Sequence, residues 1–249
     1  MTIKVAVLGA KGRMGQTTLD AIKSALDLEL VAAIDLGDSL EMLVSSGAQV
    51  VVDFTHPDSV MGNLDFAINH GVNVVVGTTG FNNEKLATVI GWLDSNPGVG
   101  ALIAPNFGLG AVLMMQFAAQ ASKYFESVEI IELHHPGKAD APSGTAAHTA
   151  ELITEARNSV NKEPMPDATS SALDGARGAK VGDVPIHSVR LRGLVAHQEV
   201  ILGDLGETLT IRHDSIDRTG FMPGVLLGIR KVVSTPGLTF GLEHFLDLK

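Results

Sequence analysis

The run Ile3-Lys4-Val5-Ala6-Val7-Leu8-Gly9-Ala10-Lys11-Gly12-Arg13-Met14-Gly15 decides the fold. Ile3 to Leu8 is a short apolar segment and reads as a strand. It runs directly into a glycine loop. Beyond the loop, Met14, Leu19, Ile22, Ala25 and Leu26 recur at helical spacing. Leu28 to Ile34 reads as the next strand and ends at Asp35. This is a β-α-β unit with a glycine-rich first turn and an acidic residue closing the second strand, the pattern that binds dinucleotides. Gly12 lets the backbone approach a pyrophosphate, and Gly15 lets helix and strand pack closely. The spacing is G-x-x-G-x-x-G, one residue longer in its first gap than the common form. The alternative is a tight β-α turn without a ligand.

The alternation continues outward. Val50 to Phe54 reads as a strand, and Thr55-His56-Pro57-Asp58 reads as the start of a helix running to about His70 and stopping at Gly71. Val72 to Val76 is an unbroken apolar run, as in a parallel sheet buried on both faces. It ends in Gly77-Thr78-Thr79-Gly80. A helix over 83–94 and a strand over Ala101–Ala104 follow, the strand ending in Pro105-Asn106-Phe107. Ligands of open parallel sheets bind beyond the carboxyl ends of the strands. The candidate cofactor residues at those ends are Gly9, Ala10, Lys11, Gly12, Arg13, Met14, Asp35, Gly77, Thr78, Thr79, Ala104, Pro105, Asn106 and Phe107. Leu109 to Ser122 reads as a long apolar core or interdomain helix.

A second stretch carries the chemistry: Glu132-Leu133-His134-His135-Pro136-Gly137-Lys138-Ala139-Asp140-Ala141-Pro142-Ser143-Gly144-Thr145-Ala146. Val128 to Leu133 reads as a strand, and Pro142-Ser143 opens a helix over 143–158 with Ser143 as its N-cap. The loop between them holds two imidazoles and a lysine beside a helix N-terminus, a place where backbone N–H groups and the helix dipole favour an anion. A small carboxylate that must accept a proton fits this set. Zinc fits poorly, because neighbouring strand residues point to opposite faces and no cysteine completes a site. Residues 159–184 read as a long polar loop. His187–Leu191, His197–Leu202 and Thr208–His213 read as strands, which with 128–133 make a largely antiparallel four-strand sheet. An apolar helix to Val233 and a last strand near Leu238–Leu242 close the chain.

The 249 residues allow one large or two modest domains, and 45% hydrophobic with 18% charged residues describe a globular protein. The formal net charge of −10 argues against nucleic acid or anionic membrane as a partner. Cysteine is absent, which excludes thiol nucleophiles and disulfides. No secretory leader and no membrane span is expected, and the default location is cytoplasmic.

Taken together, the run from Glu132 to Ala146, Val7 to Gly15, Val52-Asp53-Phe54-Thr55, Gly77 to Gly80 and Ala104-Pro105-Asn106-Phe107-Gly108 resemble, in order and across the chain, the dihydrodipicolinate reductase (4-hydroxy-tetrahydrodipicolinate reductase) family. The resemblance implies an α/β protein: a Rossmann-type parallel-sheet domain over 1–106, completed by 216–249, and an α+β substrate-binding and oligomerisation domain over 107–215. It implies a cytoplasmic homotetramer of diaminopimelate and lysine biosynthesis that uses NADH or NADPH to reduce a small cyclic dicarboxylate. It makes His134 the proton donor with Lys138 assisting, puts His135 and the backbone N–H groups of Gly144 and Thr145 on the substrate carboxylates, and implies no metal. Leu36-Gly37 follows Asp35 where some members carry an arginine for a 2′-phosphate. Asp35 favours NADH, while Lys11 and Arg13 can neutralise a phosphate, so use of both cofactors is expected. The rivals are another Rossmann dehydrogenase and a non-catalytic NAD(P) sensor.

Overall fold

The computed structural model describes residues 2–248. Its elements in chain order are β1 (Ile3–Leu8), α1 (Arg13–Ser24), β2 (Leu28–Ile34), α2 (Glu41–Ser45), β3 (Val50–Asp53), α3 (Val60–Asn69), β4 (Asn73–Val76), α4 (Asn83–Ser95), β5 (Gly100–Ile103), α5 (Leu109–Ser122), β6 (Ser127–His134), α6 (Gly144–Ser159), β7 (Ala179–Val181), β8 (Val184–Arg190), β9 (Ala196–Asp204), β10 (Glu207–Ser215), α7 (Met222–Val232) and β11 (Gly237–Phe240). The chain divides into two compact units, one running to Leu109 and resuming at Arg218, the other spanning Gly110–Asp217.

The first unit is a six-stranded sheet in the order β11-β5-β4-β3-β1-β2, with every pairing parallel. Val, Ile and Leu dominate its central strands because both faces are covered. On one face Leu43, Leu64, Ile68 and Val89 of α2, α3 and α4 pack with Ala6, Leu8, Val51, Val74 and Ile103. On the other lies α7, whose Gly228 sits so close that a Cβ would come within 2.7 Å of Leu102 and 3.4 Å of Val75. The chain enters at β1, crosses to β2, then starts again on the other side of β1 with β3. That reversal opens a crevice beyond the carboxyl ends of β1 and β3, where such sheets bind ligands.

Several local expectations change. Leu26 lies beyond the end of α1 and is fully exposed, so the apolar stripe of that helix stops at Ile22 and the C-cap Ala25. The helix after β3 begins at Val60, because the Thr55 hydroxyl donates to Asp53 Oδ1 at 2.7 Å rather than capping a helix. Gly71, at φ 74°, ends the chain segment after that helix as expected. The short α2 was not anticipated.

The second unit is a five-stranded mixed sheet in the order β10-β9-β6-β8-β7. The β6–β8 pairing is parallel and the others are antiparallel. The fifth strand, β7, lies inside the stretch expected to be loop, where it forms a hairpin with β8. Along β6, Val128, Ile130 and Glu132 are buried and the residues between them are half-buried. Helix α6 covers the buried face: Gln198, opposite Glu132 on β9, donates to Thr149 Oγ1 at 2.9 Å. Ser143 caps α6, accepting from the Ala146 N–H at 3.2 Å. Arg157, in the last turns of α6, is only 5% exposed. Its guanidinium donates to the carbonyls of Ser122, Phe125, Glu126 and Glu163. These bonds satisfy a buried cation with backbone acceptors and anchor the start of the 160–178 segment.

Candidate functional sites

Each unit carries its own site. In the first, the glycine turn is fixed by close backbone approach. Gly9 has φ 75°, and a Cβ on it would stand 2.5 Å from the Phe54 carbonyl oxygen. A Cβ on Gly15 would stand 2.0 Å from the Gly9 carbonyl oxygen. No side chain fits either position. Gly12 closes the loop by donating to the Gly9 carbonyl at 3.0 Å. The Lys11 N–H donates to Asp35 Oδ2 at 2.6 Å, and the Leu36 N–H donates to Oδ1 at 2.8 Å. The Lys11 amide first, then the Leu36 amide, hold the Asp35 carboxyl below its ordinary pKa. The side chains of Lys11 and Arg13 are exposed and Met14 is half-buried. Beside them lies a cavity of about 340 Å³ lined by Gly9, Asp35, Leu36, Asp38, His56 and Ser59 among others, within the usual range for small-molecule sites.

The other candidate cofactor residues sit on neighbouring strand ends. Gly77 leaves room for the Phe54 ring, which a Cβ would meet at 2.1 Å. Phe54 in turn packs edge-on to Phe107, with ring centroids 5.9 Å apart. The Ala104 N–H donates to the Val76 carbonyl at 3.0 Å. Asn106 Oδ1 accepts from the Gly108 N–H at 2.8 Å, while Thr79 and Pro105 are exposed. Thr78 is turned inward: its hydroxyl donates to Asp53 Oδ1 at 2.9 Å. Asp53 is 1% exposed and also accepts from the Thr55 N–H, the Thr55 hydroxyl and Asn63 Nδ2. Sequence reasoning quoted Asp53 without a role. The signal was there, since a carboxylate ending a buried valine run must find donors.

In the second unit, alternation along β6 puts Glu132 and His134 on one face. The register places Ser188 and Arg190 of β8 beside them. His134 Nδ1 lies 2.5 Å from Glu132 Oε2. Glu132 is fully buried, and Arg190 grips both of its oxygens at 2.8 Å. The Ser143 N–H donates to Glu132 Oε1 at 3.2 Å. Arg190 also donates to the Asp140 carbonyl at 2.7 Å. Burial pushes the Glu132 carboxyl up, but the bonds from Arg190, Ser188 and His134 outweigh it and hold the pKa at about 2. For His134 burial dominates: it lowers the imidazole pKa, the Glu132 carboxylate works against it, and the charges of Lys138 and Arg190 add to it.

Lys138 Nζ is paired with Asp140 Oδ1 at 2.7 Å. The Asp140 carboxyl is held below its ordinary pKa, chiefly by Lys138 and least by the Gly144 amide. Lys138 thus already carries a carboxylate of the chain itself. Gly144 is exposed, and a Cβ there would meet nothing within 4 Å. The fold does not demand glycine at this position. His135 is exposed on the same loop, and Thr145 opens α6. No cluster of three or more metal-ligating residues occurs among the described residues, and none of their helices is long and apolar enough to cross a membrane.

A doubly wound sheet with a dinucleotide turn, joined in one chain to a unit bearing histidine and lysine beside a helix N-terminus, defines a two-domain nicotinamide-dependent oxidoreductase. Comparison with known proteins makes the family specific. Residues 3–107 match the family described as "Dihydrodipicolinate reductase, N-terminus", and residues 110–246 match "Dihydrodipicolinate reductase, C-terminus". A protein of Nocardia farcinica named 4-hydroxy-tetrahydrodipicolinate reductase is 64% identical over all of both chains. One of the same name from Streptomyces coelicolor is 63% identical over 99% of this chain and 98% of its own. The structure titled "Dipicolinate bound Dihydrodipicolinate reductase from Paenisporosarcina sp. TG-14" superposes with a TM-score of 0.90 at 39% identity, covering 99% of this chain and 100% of the other. A probable dehydrogenase from Thermotoga maritima, at TM-score 0.65 and 10% identity, shares the fold alone. The chain belongs to the dihydrodipicolinate reductase family, whose members are NAD(P)H-dependent reductases.

Proposed function

We propose that the chain reduces 4-hydroxy-tetrahydrodipicolinate by way of dihydrodipicolinate, the cyclic unsaturated dicarboxylate formed from it by loss of water, with NADH or NADPH bound by the first unit and the substrate bound by the second. The bound nicotinamide supplies the hydride. Negative charge then builds on the ring, and His134 is the group that delivers the proton while Lys138 stabilises the charge. His135 and the N–H groups of Gly144 and Thr145 hold the ring carboxylates. The observation that carries this reading is Asp140: a carboxylate already rests on Lys138 Nζ at 2.7 Å, just ahead of the N-terminus of α6. These donors therefore favour a carboxylate, and a substrate carboxylate can take the place of Asp140 by swinging it outward.

The glycine turn, Asp35, the 77–79 segment and the 104–107 segment fit NAD(P)H. The turn has no room for side chains at Gly9 or Gly15, the close backbone packing that a dinucleotide turn requires. Asp35 lines the cavity, where it would accept from ribose hydroxyls, with Lys11 and Arg13 nearby in sequence to meet a 2′-phosphate. We also assign a homotetrameric state and a cytoplasmic setting, where reduced nicotinamides are held. The support for assembly is the sheet of the second unit. Its uncovered face carries half-buried Ile131, Leu133, Val189 and Ile201, and β10 is a nine-residue edge strand, a surface that folded proteins rarely leave open.

The test is truncation of the loop. His134→Ala and Lys138→Ala should each lower kcat by about 10²-fold or more, the usual range for a lost proton donor. NADH affinity, measured by fluorescence titration, should stay within about twofold, a difference below 0.5 kcal/mol. A near-normal kcat for His134→Ala at saturating substrate would remove it from the chemistry.

A further inference from the structure

Glu132 is the first residue of the Glu132–Ala146 stretch, yet the reaction as described gives it no part. It lies on the buried face of β6, where Val128 and Ile130 are its neighbours in alternation. A charged side chain in that position is unfavourable unless it is paired and hydrogen-bonded. Here the pairing is complete, and it converges on the two carboxylate oxygens. Arg190 NH1 and His134 Nδ1 both meet Glu132 Oε2, while Arg190 NH2 and the Ser143 N–H both meet Oε1.

This geometry settles the state of the imidazole. A carboxylate gripped by a guanidinium through both oxygens is ionised and can only accept. The hydrogen between Glu132 and His134 therefore sits on Nδ1, and Nε2 is the ring nitrogen left to exchange a proton with anything outside. The hydrogen bond also fixes the plane of the ring. The same carboxylate holds the first residue of the α6 cap, and the same guanidinium holds the Asp140 carbonyl. One buried pair thus connects the imidazole, the loop that carries Lys138 and the helix N-terminus.

We propose that Glu132 and Arg190 are positioning residues for the proton donor: Glu132 fixes His134 as the Nδ1–H form with Nε2 directed to the substrate, and Arg190 keeps Glu132 in place. The proposal rests on the reading of His134 as the proton donor. The same linkage occurs where a buried carboxylate orients a catalytic histidine, with losses of up to ~10⁴-fold when that carboxylate is neutralised.

The charges around the ring give the sign of the pH effect. Glu132 from β6 is the one anion against it, and Lys138 and Arg190 are the cations. On β9 the residues facing Glu132 and His134 are Gln198 and Ala196, both uncharged. The first turn of α6, Gly144 to Ala147, is uncharged too. On the loop, Asp140 is paired with Lys138; removing the Glu132 charge takes away the anion that raises the His134 pKa while Lys138 and Arg190 still lower it, so imidazolium forms less readily.

The test compares the wild type, Glu132→Gln, His134→Ala and the double variant by kcat, by pH profile and by NADH binding. Wild-type ¹⁵N chemical shifts of the His134 ring complete the set. Expected are an Nδ1–H imidazole in the wild type, a kcat for Glu132→Gln lower by about 10-fold or more, and an alkaline limb of kcat/KM moved to lower pH. In the His134→Ala background, Glu132→Gln should change kcat by less than about twofold, because residues acting as a unit are not additive. A full additive loss in that background overturns the proposal, since Glu132 would then act elsewhere. So does an Nε2–H imidazole in the wild type, a result that needs no variant to fold. A near-normal kcat for His134→Ala is different: it overturns the proton-donor reading itself, and the positioning role with it.

Discussion

At His134 two opposing influences decide a protonation state. Burial and the cations Lys138 and Arg190 lower its pKa, and Glu132 only partly restores it. The free protein therefore holds His134 largely neutral at neutral pH, whereas a proton donor must arrive charged. A dicarboxylate substrate resolves this, because its own negative charge beside the ring favours imidazolium. The signs follow. Activity that needs protonated His134 is lost as pH rises through its pKa. The kcat/KM profile reports the free protein, so its alkaline limb should fall below the ordinary histidine value of about 6.5. The kcat profile reports the substrate complex, and its limb should lie at higher pH than that of kcat/KM. Coincident limbs would mean that substrate charge does not reach His134. At Gly144 the argument is steric. The space beyond its Cα is open, so Gly144→Val should fold with an unchanged melting temperature but raise the substrate KM by about 10-fold or more, the cost of a misplaced backbone donor set. It should also weaken inhibition by pyridine-2,6-dicarboxylate, and unaltered inhibition would remove the cradle from this loop. Much at this scale was legible in the sequence, because His134, His135, Lys138 and Ser143 lie in one run. Arg190 was not. It stands 58 residues from Glu132, and only the parallel pairing of β6 with β8 brings the two together.

Among the elements, the β1–loop–α1 turn was the most legible, for a physical reason. Gly9 and Gly15 occupy positions where backbone meets backbone at 2.0–2.5 Å from a would-be Cβ, so no other residue type can stand there and the pattern survives in the sequence. Gly15→Ala should force the turn open, with an overpacking cost of about 1–3 kcal/mol. NADH affinity should fall by at least about 10-fold, the equivalent of 1.4 kcal/mol, while the circular dichroism of the second unit's sheet is retained. Wild-type NADH affinity in that variant would show that the turn does not shape the cofactor site. Elements with weaker physical demands were harder to read. β7 is three residues long, Ala-Lys-Val, with its first two exposed. It has no buried face to impose alternation and lies among glycines, so nothing marks it apart from its hairpin with β8. α2 is a single turn. The helix after β3 started late because Asp53, two residues earlier, claimed the Thr55 hydroxyl that would have capped it. Arg157 likewise looks like an ordinary basic residue near a helix end until its carbonyl partners are known.

For the molecule as a whole, the net charge of −10 makes the placement of cations decisive. An anionic substrate is repelled by the general surface and needs a local group of donors, such as Lys138 beside the N-terminus of α6. The same composition leaves no cysteine, which removes the covalent route that many semialdehyde dehydrogenases need. Fold alone does not choose among these chemistries, since a myo-inositol dehydrogenase and an amine dehydrogenase share it at 14% identity. In the function proposed above, the choice rests on the loop between β6 and α6. The most direct test follows NADH and NADPH absorbance while the purified protein is offered the product of dihydrodipicolinate synthase and, separately, a panel of aldehydes. The account predicts turnover of the cyclic dicarboxylate with both cofactors, their kcat/KM values within about tenfold of each other, or 1.4 kcal/mol, and no turnover of aldehydes. Oxidation of either cofactor by an aldehyde at a comparable rate, or none with the cyclic dicarboxylate, would contradict it.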